Sequence, residues 1–132
     1  MENTKEQFLE KISIGKETLS LDFDGVIHKN SKGFYDGTVY DGPIEGALSA
    51  IKEISKIYDI VVFSAKARKD RMLIDGKTGQ QLIEEWLEKH GFMPFVKEVT
   101  SEKPRAVVYI DDKAIRFVDW DQTLNDLSNL MR

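Results

Sequence analysis

The stretch Leu19-Ser20-Leu21-Asp22-Phe23-Asp24-Gly25-Val26 decides how the rest of the chain is interpreted. Its apolar residues alternate with polar ones and lead into two aspartates and a glycine, which predicts a short buried strand ending in paired negative charge. Residues i and i+2 of an extended backbone point the same way, so Asp22 and Asp24 present two carboxylates to one side. Such a pair either holds a cation or shares a proton. The competing interpretation is an Asp-Gly hairpin turn whose two acids face water.

Length and composition bound the class of protein. The 132 residues predict a single domain, residues 1–132, large enough to bury roughly two-thirds of its unfolded surface without metal or disulfide staples. The hydrophobic fraction of 41% and the charged fraction of 32% are typical of a soluble globular protein. Cysteine is absent, which excludes thiol nucleophiles and thiolate metal sites. Any metal must be held by oxygen or by one of two histidines, and aspartates favour Mg²⁺.

The charge and the apolar runs bear on location and partners. No run is long enough to span a membrane and the N-terminus lacks the features of a signal peptide, so we expect a cytoplasmic protein without a membrane partner. A net charge of −4 argues against a protein that mainly coats nucleic acid. Stable nucleic-acid binding is therefore not expected.

Strand and helix signals alternate along the chain. Apolar or alternating runs predict five strands, at about residues 18–23, 60–63, 96–99, 106–110 and 115–118. Helical spacing predicts helices at about residues 2–12, from Asp41-Gly42-Pro43 to about 54, from about 82 to 90 and from about Asp121 onward. The wholly apolar runs at 60–63 and 106–110 are typical of strands buried on both faces. This alternation predicts an α/β fold, a three-layer sandwich with a central, mainly parallel sheet.

Two polar segments separate these elements. Residues 28–40 are rich in turn signals and predict a loose hairpin or flap, the kind of loop that shapes a binding site. Residues 64–79 are polar and basic, with four cations at Lys66, Arg68, Lys69 and Arg71. A solvated loop is the expected structure there; the alternative is a grip on a second phosphate, with Arg68 the first residue to test. His28 is expected to be a plain flap residue, with substrate contact as the alternative.

The predicted strands end in polar groups that carry chemistry. In a parallel sheet, ligands bind outside the carboxyl ends of the strands. The strand ends here carry Asp22 and Asp24, Ser64, the loop holding Lys103, and Asp111 and Asp112. Each pair of like charges ~4 Å apart costs on the order of 4 kcal/mol at an effective dielectric near 20, and a divalent cation removes that penalty. An ammonium and a hydroxyl beside the acids suit a phosphoryl dianion, which favours phosphoryl transfer.

These residues resemble the motifs of the haloacid dehalogenase-like hydrolases, which are mostly magnesium-dependent phosphatases. The four motifs match in order from about residue 18 to 118, as Asp22-Phe23-Asp24-Gly25-Val26, Ser64 after Val61-Val62-Phe63, Lys103 before Pro104, and Asp111-Asp112 after Val108-Tyr109-Ile110. The resemblance implies a Rossmann-like core and a phosphomonoesterase that acts through an aspartyl phosphate. Family members often carry a cap domain. The segments between the motifs of this chain are long enough only for the flap, so a capless member with an open site is expected.

The resemblance also implies a role for each matched residue. Asp22 is the nucleophile, and Asp24 is the general acid and base, a role helped if its pKa is raised. Mg²⁺ is held by the Asp22 carboxylate, the Asp24 backbone carbonyl and one or both of Asp111 and Asp112, with direct contact favoured for Asp112. Ser64 and Lys103 hold the phosphoryl oxygens of a phosphorylated substrate. The class of substrate is left open, and a polynucleotide end is among the candidates.

Two other functions combine similar residues. A receiver-type phosphoacceptor domain also uses acids, a hydroxyl and a lysine in a parallel α/β fold, but its acceptor aspartate lies mid-chain, where this sequence has Ser64. A metal-dependent nuclease with clustered aspartates activates water through two cations and requires neither Ser64 nor Lys103. Both remain alternatives to the phosphohydrolase.

Overall fold

The computed structural model describes residues 15–131, which contain a four-stranded parallel sheet. Its strands are β1 (Glu17–Asp22), β2 (Tyr58–Phe63), β3 (Glu98–Thr100) and β4 (Val108–Ile110), in the spatial order β3-β2-β1-β4. The predicted parallel α/β architecture is therefore confirmed. The helix expected at residues 2–12 lies outside the described residues.

Three α-helices accompany the sheet within residues 15–131. They are α1 (Ala47–Ile54), α2 (Gly79–Lys89) and α3 (Trp120–Leu130), with short 3-10 turns at Ala65–Ala67 and Met93–Phe95. A capping box starts α2, because Thr78 Oγ1 accepts from the Gln81 N–H while Gln81 Oε1 accepts from the Thr78 N–H. Asp119 caps α3 through the Gln122 N–H. The arrangement is consistent with a Rossmann-like α/β sandwich.

The hydrophobic core lies around β1 and β2, with contributions from α1 and α2. Its buried members include Leu19, Leu21, Phe23, Ile51, Ile60, Val62, Ile83, Trp86, Leu87 and Phe92. Fully burying one such side chain stabilises the fold by roughly 1.5–3 kcal/mol, so this cluster holds the carboxyl ends of β1 and β2 in a fixed register. Residues 60–62 of β2 are all buried, as the apolar run predicts for a strand covered on both faces.

Helix α1 begins later than the sequence predicts. Asp41 and Pro43 were expected to open it, but the helix starts at Ala47. The Asp41 carboxylate instead accepts hydrogen bonds from the backbone and side chain of Ser31 and from the Gly42 N–H. Bonds between the flap and the residues that follow it have replaced the expected helix cap.

The C-terminal quarter of the described chain is more exposed than its apolar pattern suggests. Strand β4 is an edge strand that pairs only with β1, and its three residues are 37–43% exposed rather than buried on both faces. No strand forms at residues 115–118, and α3 buries none of its residues. The predictions of a doubly buried strand at 106–110 and of a strand at 115–118 were therefore wrong. An apolar pattern does not specify what packs over a segment. None of the helices between residues 15 and 131 combines the length and apolarity required to cross a bilayer.

Candidate functional site

The order of the strands creates a crevice between β1 and β4. The chain places β2 and β3 on one side of β1 and then returns to place β4 on the other side. Such a reversal of strand order leaves a ligand-binding crevice at the carboxyl ends of the two strands. Leu21 pairs with Ile110, so Asp22 and Asp111 continue the two strands at the same level.

Three carboxylates meet in this crevice. Asp22, Asp111 and Asp112 each offer an oxygen atom, and these atoms all lie within 4.8 Å of one another. Asp112 also lies directly over Gly25, whose φ of +87° is in the left-handed region; a Cβ there would overlap the Asp112 carboxylate. The glycine therefore meets two requirements, an unusual backbone conformation and room for an acid. Oxygen atoms in this arrangement are the ligands that hard divalent cations prefer.

The electrostatics of Asp22 reflect this crowding. Burial of the Asp22 carboxyl, the charge of Asp111 and a hydrogen bond shared with Asp112 raise its pKa to about 7. A divalent cation among the three carboxylates would reverse this effect by favouring their ionised forms. The donor set thus fits a hard cation, with Asp22 as the group that must lose its proton when the cation binds.

Asp24 points away from the three-carboxylate cluster. Its Oδ1 accepts a hydrogen bond from Lys66 Nζ at 3.1 Å and lies 2.8 Å from His28 Nδ1. Its side chain is 21% exposed. The expectation that Asp22 and Asp24 present their carboxylates to one metal is therefore not met for the Asp24 side chain, and the backbone carbonyl remains its predicted ligand atom.

The pKa of Asp24 is shifted in the opposite direction from that of Asp22. Desolvation by itself would raise it, but the hydrogen bonds from His28 and Lys66, with the charge of Lys66, outweigh that effect and lower the pKa below its ordinary value. The shift is the reverse of the one that would help Asp24 to act as a general acid. Asp24 is held as a carboxylate near neutral pH.

His28 is a buried residue of the flap whose two ring nitrogens both bond to other groups of the protein. Its side chain is fully buried and stacks on Phe23 with ring centroids 5.3 Å apart. His28 Nε2 accepts the Asp41 N–H at 2.9 Å, so Nδ1 carries the ring proton and donates it to Asp24. With both nitrogen atoms engaged, His28 has none left for a substrate.

Lys103 and Ser64 lie at the ends of neighbouring strands. Lys103 lines a cavity of about 180 Å³ together with Asp22 and Asp111, and its Nζ lies 4.5 Å from the centre of the Tyr109 ring. Ser64 follows Phe63, the register partner of Asp22, and is buried. Its Oγ accepts the Lys66 N–H at 3.1 Å, which leaves the hydroxyl proton free to be donated. Phosphate binding by either residue stays a prediction.

The basic segment after β2 divides into residues with different surroundings. Lys66 is 1% exposed and paired with Asp24, so the prediction of a solvated loop was wrong for this residue. The sequence feature that could have indicated the burial of Lys66 is its position between two alanines, two residues after a strand-end serine. Arg68 is exposed and pairs with Asp70 through two nitrogen atoms.

Arg68 lies apart from the aspartate crevice. It lines a separate open groove of about 790 Å³ together with Lys69 and three acidic residues, Asp70, Glu98 and Glu102. Acids outnumber bases in this groove, which does not favour a polyanion. This groove offers no support for substrate binding by Arg68, and that role stays a prediction.

Comparisons with known proteins do not identify a family for this chain. No family model, no curated protein and no solved structure matches this chain.

Proposed function

We propose that this protein is a magnesium-dependent phosphohydrolase, a phosphomonoesterase of the haloacid dehalogenase-like type that acts through an aspartyl phosphate. The observation that carries the proposal is the meeting of the Asp22, Asp111 and Asp112 carboxylates beside a cavity that Lys103 shares with Asp22. Three acids and an ammonium at the ends of parallel strands suit a divalent cation together with a phosphoryl group.

The metal ligands in this proposal are the carboxylates of Asp22, Asp111 and Asp112 and the backbone carbonyl of Asp24. Support comes from the raised pKa of Asp22, because mutually repelling carboxylates are stabilised by a divalent cation. The bound cation would neutralise the cluster and withdraw charge from the phosphoryl oxygens. All the donors are oxygen atoms, which is why Mg²⁺ is preferred over softer metals.

Asp22 supplies the nucleophile. One of its carboxylate oxygens forms a bond to phosphorus while the bond from phosphorus to the ester oxygen breaks, and the departing oxygen takes up a proton from solvent. Water then attacks the aspartyl phosphate, gives its proton to the Asp24 carboxylate, and releases phosphate and free Asp22. The lowered pKa keeps Asp24 ionised before this step and makes it a weak base, so the accepted proton passes readily to solvent.

Ser64 and Lys103 would bind the phosphoryl oxygens. Lys103 lines the same cavity as Asp22, where its ammonium would offset repulsion between the carboxylate and the incoming dianion. The exposed positions of Asp111 and Asp112 fit a site that is open to a phosphorylated substrate without a cap domain.

The test is a phosphate-release screen over sugar phosphates, nucleotides, polynucleotide ends and phosphopeptides, in Mg²⁺ and in chelator. Turnover that requires Mg²⁺ and disappears in Asp22→Asn, with an unchanged circular dichroism spectrum, is the expected result. Retained turnover in Asp22→Asn would remove this residue from the nucleophile role. Strand cleavage of DNA or RNA without release of terminal phosphate would favour the nuclease instead.

A further inference from the structure

We propose that Lys66 is a positioning residue that ties the flap, residues 28–40, to Asp24 and so fixes the orientation of the Asp24 carboxylate. The inference rests on the proposed function for its catalytic consequence. Its structural content, a single ammonium that joins two separate chain segments, can be tested without any turnover.

The Lys66 ammonium makes two hydrogen bonds and lies near one aromatic ring. Nζ donates to Asp24 Oδ1 at 3.1 Å and to the Thr38 carbonyl at 3.0 Å, and it lies 5.6 Å from the centre of the Tyr40 ring. The side chain is 1% exposed, so these groups replace water as the partners of a buried charge. Lys66 comes from the turn after β2, while Thr38 and Tyr40 belong to the flap.

A second cation from the same segment contacts the flap at another point. The Arg71 guanidinium lies 4.5 Å from the centre of the Phe34 ring and packs against Gly37, where a side chain would collide with it. The flap is thus held from the β2 side by Lys66 and Arg71. Lys66 is the one of these two cations that also contacts Asp24.

The contacts of Asp24 show which of its two oxygens is free. His28 and Lys66 both approach Oδ1 of Asp24, which leaves Oδ2 as the oxygen available to the substrate or to water. Because Thr38 accepts from the same ammonium, the flap backbone is linked to Oδ1, the oxygen that the reaction does not use. A displacement of the flap would therefore rotate the Asp24 carboxylate and move Oδ2 as well.

Lys66→Met tests the proposal, with Lys69→Met as the matched control because Lys69 is an exposed lysine of the same loop. Amide hydrogen exchange of residues 34–42 is expected to accelerate by about tenfold or more in Lys66→Met and to stay unchanged in Lys69→Met. Unchanged exchange in Lys66→Met would overturn the tie between this lysine and the flap.

Kinetics test the catalytic consequence. We expect Lys66→Met to lower kcat on the order of 10²-fold, since small misplacements of catalytic groups have effects of that size, while KM and the affinity for Mg²⁺ change less than about twofold. Lys66→Arg keeps the charge and should recover part of kcat. Equal losses in kcat and in Mg²⁺ affinity would overturn the positioning role.

The design separates failure of the positioning role of Lys66 from failure of the proposed function. If Lys66→Met does not fold, exchange of residues 34–42 and kcat are measured in Lys66→Gln, which removes the charge but keeps a polar side chain, and wild-type values for both there overturn the proposal. If the wild-type protein releases no phosphate from any substrate, the proposed function fails. The exchange experiment then still supports or overturns the tie between Lys66 and the flap.

Discussion

The Asp112 carboxylate lies against the backbone of Gly25, where a Cβ atom would overlap it. This contact joins the end of β1 to the loop after β4, and so holds one proposed metal ligand next to the segment that carries Asp22 and Asp24. A residue larger than glycine at this position would displace the Asp112 carboxylate from its present place.

Gly25→Ala should therefore weaken Mg²⁺ binding by about tenfold or more, because the added methyl group displaces Asp112. Gly33→Ala is the control, since Gly33 also has a positive φ but a Cβ added there would meet no atom within 4 Å. Calorimetric titration with Mg²⁺ measures the affinity, and thermal unfolding reports the backbone strain that both variants share, roughly 1–2 kcal/mol. Equal Mg²⁺ affinities in the two variants would contradict this role for Gly25.

The affinity for Mg²⁺ should depend on pH through Asp22. Because its pKa is raised to about 7, a proton competes with the cation below that pH, and the apparent affinity should fall by about tenfold for each pH unit from 7 to 5. Titrations across this range measure the slope. A flat profile would mean that Asp22 is ionised throughout and is not a member of the repelling cluster.

The same pKa predicts how stability changes when Mg²⁺ is chelated. The folded protein keeps a proton on Asp22 between about pH 4 and 7 that the unfolded chain has lost, so this group makes the folded state less stable as pH rises through that window. Asp22→Asn should remove this contribution. Urea unfolding of both proteins at pH 4, 5.5 and 7 gives the comparison, and parallel profiles would count against the raised pKa.

Because its pKa is lowered, Asp24 is ionised near neutral pH and has no proton to donate to the leaving group. We therefore expect substrates with good leaving groups, such as 4-nitrophenyl phosphate, to react faster than alkyl phosphates. With 4-nitrophenyl phosphate, Asp24→Asn should show a burst of nitrophenol followed by turnover slowed 10²–10⁴-fold, the typical contribution of general base catalysis. Rapid-quench kinetics measure the burst, and Asp22→Asn should show none. An Asp24→Asn enzyme that is slow in the burst itself would assign Asp24 to the first step.

Lys103→Ala should lower kcat/KM by about 10²–10³-fold, comparable with losing one donor that stabilises a developing charge. Lys97→Ala serves as the control because Lys97 forms an exposed pair with Asp59, which contributes about 0–1 kcal/mol. The measurement is steady-state phosphate release with saturating Mg²⁺. Similar rates in the two variants would show that the Lys103 ammonium does not contact the substrate.

The order of elements could be predicted because it depends on local pattern. Alternation at Leu19 to Asp22 and the apolar run at 60–63 indicate strands, and β1 and β2 lie within one or two residues of the expected bounds. The placement of acids at strand ends follows from the same pattern, because parallel strands share one carboxyl edge. The grouping of Asp22, Asp111 and Asp112 could therefore be predicted from residue order alone.

The surroundings of individual side chains could not be predicted in this way. Lys66 and Asp24 are 42 residues apart, and His28 reaches Asp41 through a fully buried ring, so no local pattern reveals either contact. The exposure of β4 and α3 is likewise set by what packs over them rather than by their apolar residues.

The amino-acid sequence by itself determined the parallel α/β fold and the set of acids at its carboxyl edge, because both follow from the periodicity and the ends of short segments. Only the tertiary structure decided that Asp22 is the carboxyl with the raised pKa, while Lys66 and His28 hold Asp24 ionised. The physical reason is that a pKa depends on desolvation and on charges a few ångströms away, and folding alone brings those groups together.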